Sequence, residues 1–180
     1  DNGDQKFYKE DDTIKMIKKL ITIGFYFTLL NGQELGTSVD LNIAATVSSL
    51  VDQIEVITIA DIDAGIIIPS KEEKVISPIL DGGAGILRLE GINNSSIQIL
   101  YSEQVTMTNL LSQDLLLMNY TISGSQENNQ SASTLFKTNP VTVSLNSDGV
   151  YHLWVGCRFS LAELVPGQYD GDFVLEVNYN

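Results

Sequence analysis

The chain of 180 residues carries 23 Asp and Glu against 10 Lys and Arg, a formal net charge of −13, with 43% hydrophobic and 18% charged residues. Such a chain can bury the core of one domain and is not disordered, and its acidic balance argues against nucleic acid or an anionic membrane as partner. A single Cys and a single His exclude an internal disulfide framework, a thiolate metal cage and a multi-histidine metal site within one chain, so no metal or cofactor is expected.

At the amino end, Lys15, Lys18 and Lys19 precede the uncharged run 20–30 (LITIGFYFTLL), which gives way to the polar Asn31, Gly32, Gln33 and Glu34. That is the layout of a secretory signal peptide, and the run falls well short of the roughly 20 apolar residues of a membrane-spanning helix. The expected division is therefore 1–15 as an extension outside the fold, 16–32 as a leader helix opening at Met16, and 33–180 as one mature domain, secreted, periplasmic or at a bacterial cell surface. Met16 is a natural initiator, and 1–15 reads as an over-extended gene start or an expression remnant. No Cys follows the run to take a lipid anchor.

The rest reads as strands. From Ser38, Val39, Leu41, Ile43, Ala45 and Val47 alternate with polar residues, Ala44 being the exception. A period of two means a strand with one buried face. The alternation returns at Val141, Val143 and Leu145, at Tyr151, Leu153, Val155, Cys157, Phe159 and Leu161, and at Tyr169, Gly171, Phe173, Leu175, Val177 and Tyr179. Shorter candidates lie at 54–59, 64–68, 85–90, 97–101, 104–108 and 115–122, divided by turn residues at Pro69-Ser70, Asp81-Gly82-Gly83, Asn93-Asn94, Ser123-Gly124-Ser125, Asp148-Gly149 and Pro166-Gly167. The polar runs 71–74 (KEEK) and 125–133 (SQENNQSAS) are expected to be loops. Many short strands with turns between them describe an all-β chain, an antiparallel sandwich of the immunoglobulin-like kind.

Candidate chemistry is sparse. His152 and Trp154 alternate onto the face opposite Cys157 and, with Arg158, offer a ligand or sugar platform if the tryptophan is open and an ordinary covered surface if it is not. Cys157, between Val155 and Phe159, is expected to be an inert buried thiol. Asp61 with Asp63, and Asp170 with Asp172, alternate along strands but lack the loop of a calcium site. The sequons at Asn93, Asn94, Asn119 and Asn129 matter only in a glycosylating host. No phosphate loop, nucleophile elbow or dinucleotide loop is present in the sequence, and no acid, base and nucleophile set assembles, so a secreted hydrolase ranks behind non-enzymatic roles.

The ending PGQYDGDFVLEVNYN resembles the pattern P-G-x-Y-x-G-x-[FY]-x-[VL]-x-V-x-Y that closes members of a bacterial secreted family catalogued as domain of unknown function 4402. VYHLWVGCRFSL, DIDAGIIIP and AGILRLEGINNSSIQILYS resemble further elements of that family, a match over about 44–180, with Cys157 and Ala64 departing from its usual small and aromatic residues. The family is similar in layout to spore-coat-like secreted proteins and to subunits of archaic chaperone-usher pili. The resemblance implies an incomplete immunoglobulin-like sandwich whose final strand borders a groove that a neighbour's N-terminal strand fills. The donor would then be Val39, Leu41, Ile43, Ala45 and Val47, and the acceptor edge Tyr169, Phe173, Leu175, Val177 and Tyr179. The same 39–47 segment reads equally as the first strand of its own domain, because alternation does not say which chain a strand pairs with. The implied function is a non-enzymatic structural subunit of fimbria-like kind, binding copies of itself or related subunits; the alternative is a monomeric secreted immunoglobulin-like binding or adhesion module.

Overall fold

The structure is a computed structural model that describes residues 20–26, 37–41, 54–162 and 164–180. These residues form β1 (Leu20–Tyr26), β2 (Thr37–Leu41), β3 (Glu55–Ala60), β4 (Ile62–Ile67), β5 (Glu73–Ile76), β6 (Gly85–Glu90) and β7 (Ser96–Tyr101). They continue with β8 (Gln104–Asn109), β9 (Leu115–Ser125), β10 (Thr134–Leu135), β11 (Val141–Ser144), β12 (Val150–Ser160) and β13 (Tyr169–Tyr179). The chain is almost wholly β, as its alternation predicts, and every pairing is antiparallel. The main sheet runs β11-β7-β13-β8-β9-β12-β6-β3, with β1 on β13, β10 on β9 and β5 on β12, while β2 and β4 form a separate pair.

Two expectations are corrected. The KEEK run is not wholly a loop: β5 begins at Glu73, because Lys74 and Val75 find partners in Phe159 and Arg158 of β12. Of the expected leader helix 16–32, the described part, 20–26, is a strand. Its Ile21, Thr22, Ile23, Phe25 and Tyr26 are β-branched or aromatic, residue types that favour extended backbone, and β13 offers it a ladder. The remainder of 16–32 lies outside the described residues, as does the extension 1–15.

Two long strands are each interrupted once, and these breaks shape the molecule. β7 pairs Tyr101 with Leu175 of β13, Ser102 N–H then donates to the Val174 carbonyl at 2.9 Å, and β8 returns to the same strand at Thr108 and Asp170. In between, β8 swings out to pair with β9. On the far side, β5 pairs Ile76 with Cys157 and β6 resumes at Gly85 opposite Val155, so that the segment 77–84 leaves the sheet opposite the single residue Gly156. A side chain at Gly156 would collide with the Ile76 carbonyl and would lie 2.6 Å from Pro78 Cδ. Glycine is what lets the chain depart and return there.

The core follows the alternation. Leu87 and Leu89 of β6, Ile97 and Ile99 of β7, Leu153 and Val155 of β12, and Phe173 and Leu175 of β13 are fully buried, each contributing about 1.5–3 kcal/mol of apolar transfer. The rings of Tyr120 of β9 and Phe173 of β13 meet at a 51° tilt with centroids 4.7 Å apart, although β8 stands between their strands in the sheet. Of the expected turns, Asp148-Gly149 is one, whereas Ser123-Gly124-Ser125 is the end of strand β9. Asn109 Oδ1 accepts from the Leu111 and Ser112 N–H groups at 2.9 and 3.0 Å to close the β8–β9 hairpin, and Gly149 takes φ 77 in the turn before β12.

Candidate strand-acceptor edge and the outer face of β12

The C-terminal strand β13 is built by strict alternation. Tyr169, Phe173, Leu175 and Val177 point into the core, and Tyr179, half-buried, accepts the Ile92 N–H on its hydroxyl at 2.9 Å. The Tyr169 hydroxyl donates to the Val165 carbonyl at 2.9 Å, pinning the start of the strand to the loop before it. Residues between these, from Asp170 to Glu176, are partly or fully exposed. The five residues expected to border an acceptor edge therefore occupy one strand and one face.

What that strand pairs with defines the edge. Leu175 and Glu176 are opposite Tyr101 and Leu100 of β7 and also opposite Ile21 and Leu20 of β1. Asp170 is likewise opposite both Thr108 of β8 and Tyr26 of β1. A strand has two edges. β7 and β8 share one of them, and the other, over residues 170–176, is covered among the described residues by β1 alone. The segment on this edge is thus 20–26 of the same chain, not the 39–47 segment singled out by alternation. Val39 and Leu41 fall on β2, whose backbone pairs with Gly65 and Ile62 of β4; Ile43, Ala45 and Val47 lie outside the described residues. Sequence reading passed over 20–26 as a strand because its apolar run also fits a leader, although its β-branched content was the signal.

The outer face of β12 is different from the expected platform. Trp154 is 1% exposed, so it presents no open aromatic surface. It shares its face with Ser123 of β9, its cross-strand neighbour, and with Gly156, and the 77–84 segment lies over both. Ser123 Oγ donates to the Pro78 carbonyl at 3.1 Å, Ser133 Oγ lies 2.8 Å from Ser123 Oγ, and Gln130 Nε2 donates to the Pro78 and Asp81 carbonyls at 3.1 and 2.8 Å. Those bonds satisfy the carbonyls of a segment that has left its ladder, which is why it can sit on the sheet instead of in solvent. His152 is half-buried with its ring 6.1 Å from that of Trp154; burial, and then the nearby Arg88, push its pKa below the usual histidine value. Arg158 is exposed at the other end of the strand. The three residues are not one open ligand face, because the covering segment divides them.

Cys157 faces the core and is 2% exposed; burial pushes its thiol up to about 12, against an opposing pull from Lys74. The thiolate is the reactive form. At pH 8 the native chain is expected to leave a colorimetric thiol reagent unreacted for many minutes, whereas denaturant releases one thiol per chain immediately; fast native labelling would contradict the buried placement. Among the described residues, no cluster of three or more His, Cys, Asp or Glu is placed to hold a metal ion, and no helix is long and apolar enough to cross a membrane. Comparison with known proteins finds no matching family model, no matching curated protein and no matching solved structure.

Proposed function

We propose that the chain is a non-enzymatic secreted or cell-surface subunit, an incomplete immunoglobulin-like sandwich that joins copies of itself or related subunits by strand addition at the edge of β13 that β1 covers. The observation that carries this reading is the pairing of residues 170–176: one edge belongs to β7 and β8, and the other is met by a segment, Leu20–Tyr26, that lies within a leader-type sequence. When such a leader is removed, the edge is left as a row of unpaired backbone donors and acceptors, which is the template for an added strand. The sandwich reading is supported by the β7–β8 break, which carries one strand run from β13 to β9, and by the Tyr120–Phe173 ring contact across β8. The resemblance of the last fifteen residues to domain of unknown function 4402, and through it to pilin subunits, points the same way.

The test uses the chain beginning at residue 33 and synthetic peptides covering 19–28 and 37–50. At least one peptide is expected to bind saturably and to raise the melting temperature, since a ligand that binds only the folded state stabilises it by mass action. Proline at Ile23 of the first peptide, or at Ile43 of the second, removes a ladder N–H and is expected to abolish the effect of that peptide. If 37–50 is the binder, the donor is the segment chosen by alternation; if 19–28, the edge takes any extended apolar strand of matching register. A chain that stays monomeric by light scattering and binds neither peptide rejects strand addition and leaves a monomeric binding module.

A further inference from the structure

A trough of about 500 Å³ runs along the outer face of β12 beside the 77–84 segment. Its volume lies in the range of sites that enclose small ligands. Val75, Pro78, Ile79 and Leu135 supply apolar walls, and Asn119 and Arg158 stand together as cross-strand neighbours. Ile76 and Pro78 fill the space over Gly156, and the trough opens beyond them, over Thr121 and Asn119 of β9 and Arg158 of β12.

The chemistry of the polar end is specific. Arg158 makes no hydrogen bond or ion pair among the described residues, although the chain has 23 carboxylate side chains for 10 Lys and Arg; the ion pair present there joins Arg88 and Glu90. A guanidinium presents its donors in a planar fork that matches a carboxylate in two parallel bonds, and such charge-assisted bonds are the strong ones. Asn119 adds an amide beside it. Glu73, on the same trough, is not paired with Arg158 and repels a second negative charge. We propose that this trough binds a small monocarboxylate with an apolar tail, its carboxylate on Arg158 and its tail along Val75, Ile79 and Leu135. The site lies on the β5–β9–β12 face and is independent of the β13 edge.

The test titrates octanoate, octanol, octylamine and octanedioate into the full chain, following heat and the emission of Trp154, which is the sole tryptophan and lies two residues from Gly156 on the same face. Octanoate is expected to bind saturably below its micellar range, at least tenfold tighter than octanol, with octylamine and octanedioate weaker still. Arg158→Gln is expected to fold normally, since the side chain is exposed and unbonded, and to lose octanoate affinity at least tenfold with octanol unchanged. Thr121→Phe fills the trough and is expected to lose both ligands. Equal affinity for octanoate and octanol, an Arg158→Gln chain that binds octanoate as the parent does, or no saturable octanoate binding would each overturn the proposal.

Discussion

Replacing Gly156 by valine is expected to unseat the 77–84 segment and to expose Trp154. The β-carbon alone collides with the Ile76 carbonyl and sits 2.6 Å from Pro78 Cδ and 2.7 Å from Pro78 N, so backbone and a rigid ring must move, not a flexible side-chain end. Overpacking of this kind costs about 1–3 kcal/mol, and more where the obstacle cannot turn aside. Displacing Pro78 also breaks its carbonyl bonds to Ser123 and Gln130, leaving Ser123, a fully buried hydroxyl, without its acceptor. The measurement is tryptophan emission with thermal melting. The parent should emit as a buried indole, and the variant red-shifted with a lower melting temperature. Leu80→Ala on the same segment is the control: Leu80 is 81% exposed, so its truncation should change stability by no more than about 0.5 kcal/mol. Unchanged emission in the valine variant would mean that the segment does not lie where β12 needs a glycine.

Phe173→Ala should be the most destabilising substitution on β13. The ring is fully buried, packs at a tilt against Tyr120 with centroids 4.7 Å apart and lies 6.5 Å from Tyr101, so it ties the C-terminal strand to both β9 and β7. Truncating a buried phenylalanine costs about 3–5 kcal/mol through lost transfer energy and a cavity. For a chain of this size that is a fall of roughly 10 °C or more in melting temperature. The neighbouring Val174→Ala, on the outward and half-exposed side, should cost about 1 kcal/mol or less. The pair also bears on the proposed edge, because a strand added to β13 contacts its backbone whichever way the side chains face. Phe173→Ala should therefore lower stability while leaving peptide affinity of the folded fraction within a few-fold. If Val174→Ala proves as costly as Phe173→Ala, the inward and outward faces of β13 have been exchanged.

The all-β class of the molecule and the faces of its long strands are legible in the amino-acid pattern alone. Alternation at 141–145, 151–161 and 169–179 placed Leu153, Val155, Cys157, Phe159, Phe173 and Leu175 in the core, where they are found, because strand geometry sends successive side chains to opposite faces whatever the strand pairs with. The Asp148-Gly149 turn was legible for the same local reason, since φ above zero at Gly149 is set within a few residues, whereas Ser123-Gly124-Ser125 reads as a turn and is strand because β9 runs on to Ser125 against β12. Pairing is a different kind of information. Nothing local distinguishes 20–26, with its leader-like run, from 39–47 as the partner of β13, and the choice of Leu20–Tyr26 there and of Thr37–Leu41 for β4 appears only when all the edges compete at once. The run 71–74 looked like a charged loop because all four of its residues are ionic, yet its second half opens β5, where an edge position on β12 tolerates charge facing solvent. The Trp154 platform was closed for a related reason. Its outward direction was legible from alternation, but the cover came from residues some 70 positions earlier, a segment released from its own strand opposite Gly156 and held down by Ser123 and Gln130. Face is a property of one strand, whereas neighbour and cover belong to the tertiary structure, since they depend on hydrogen bonds between parts of the chain whose spacing no local pattern encodes.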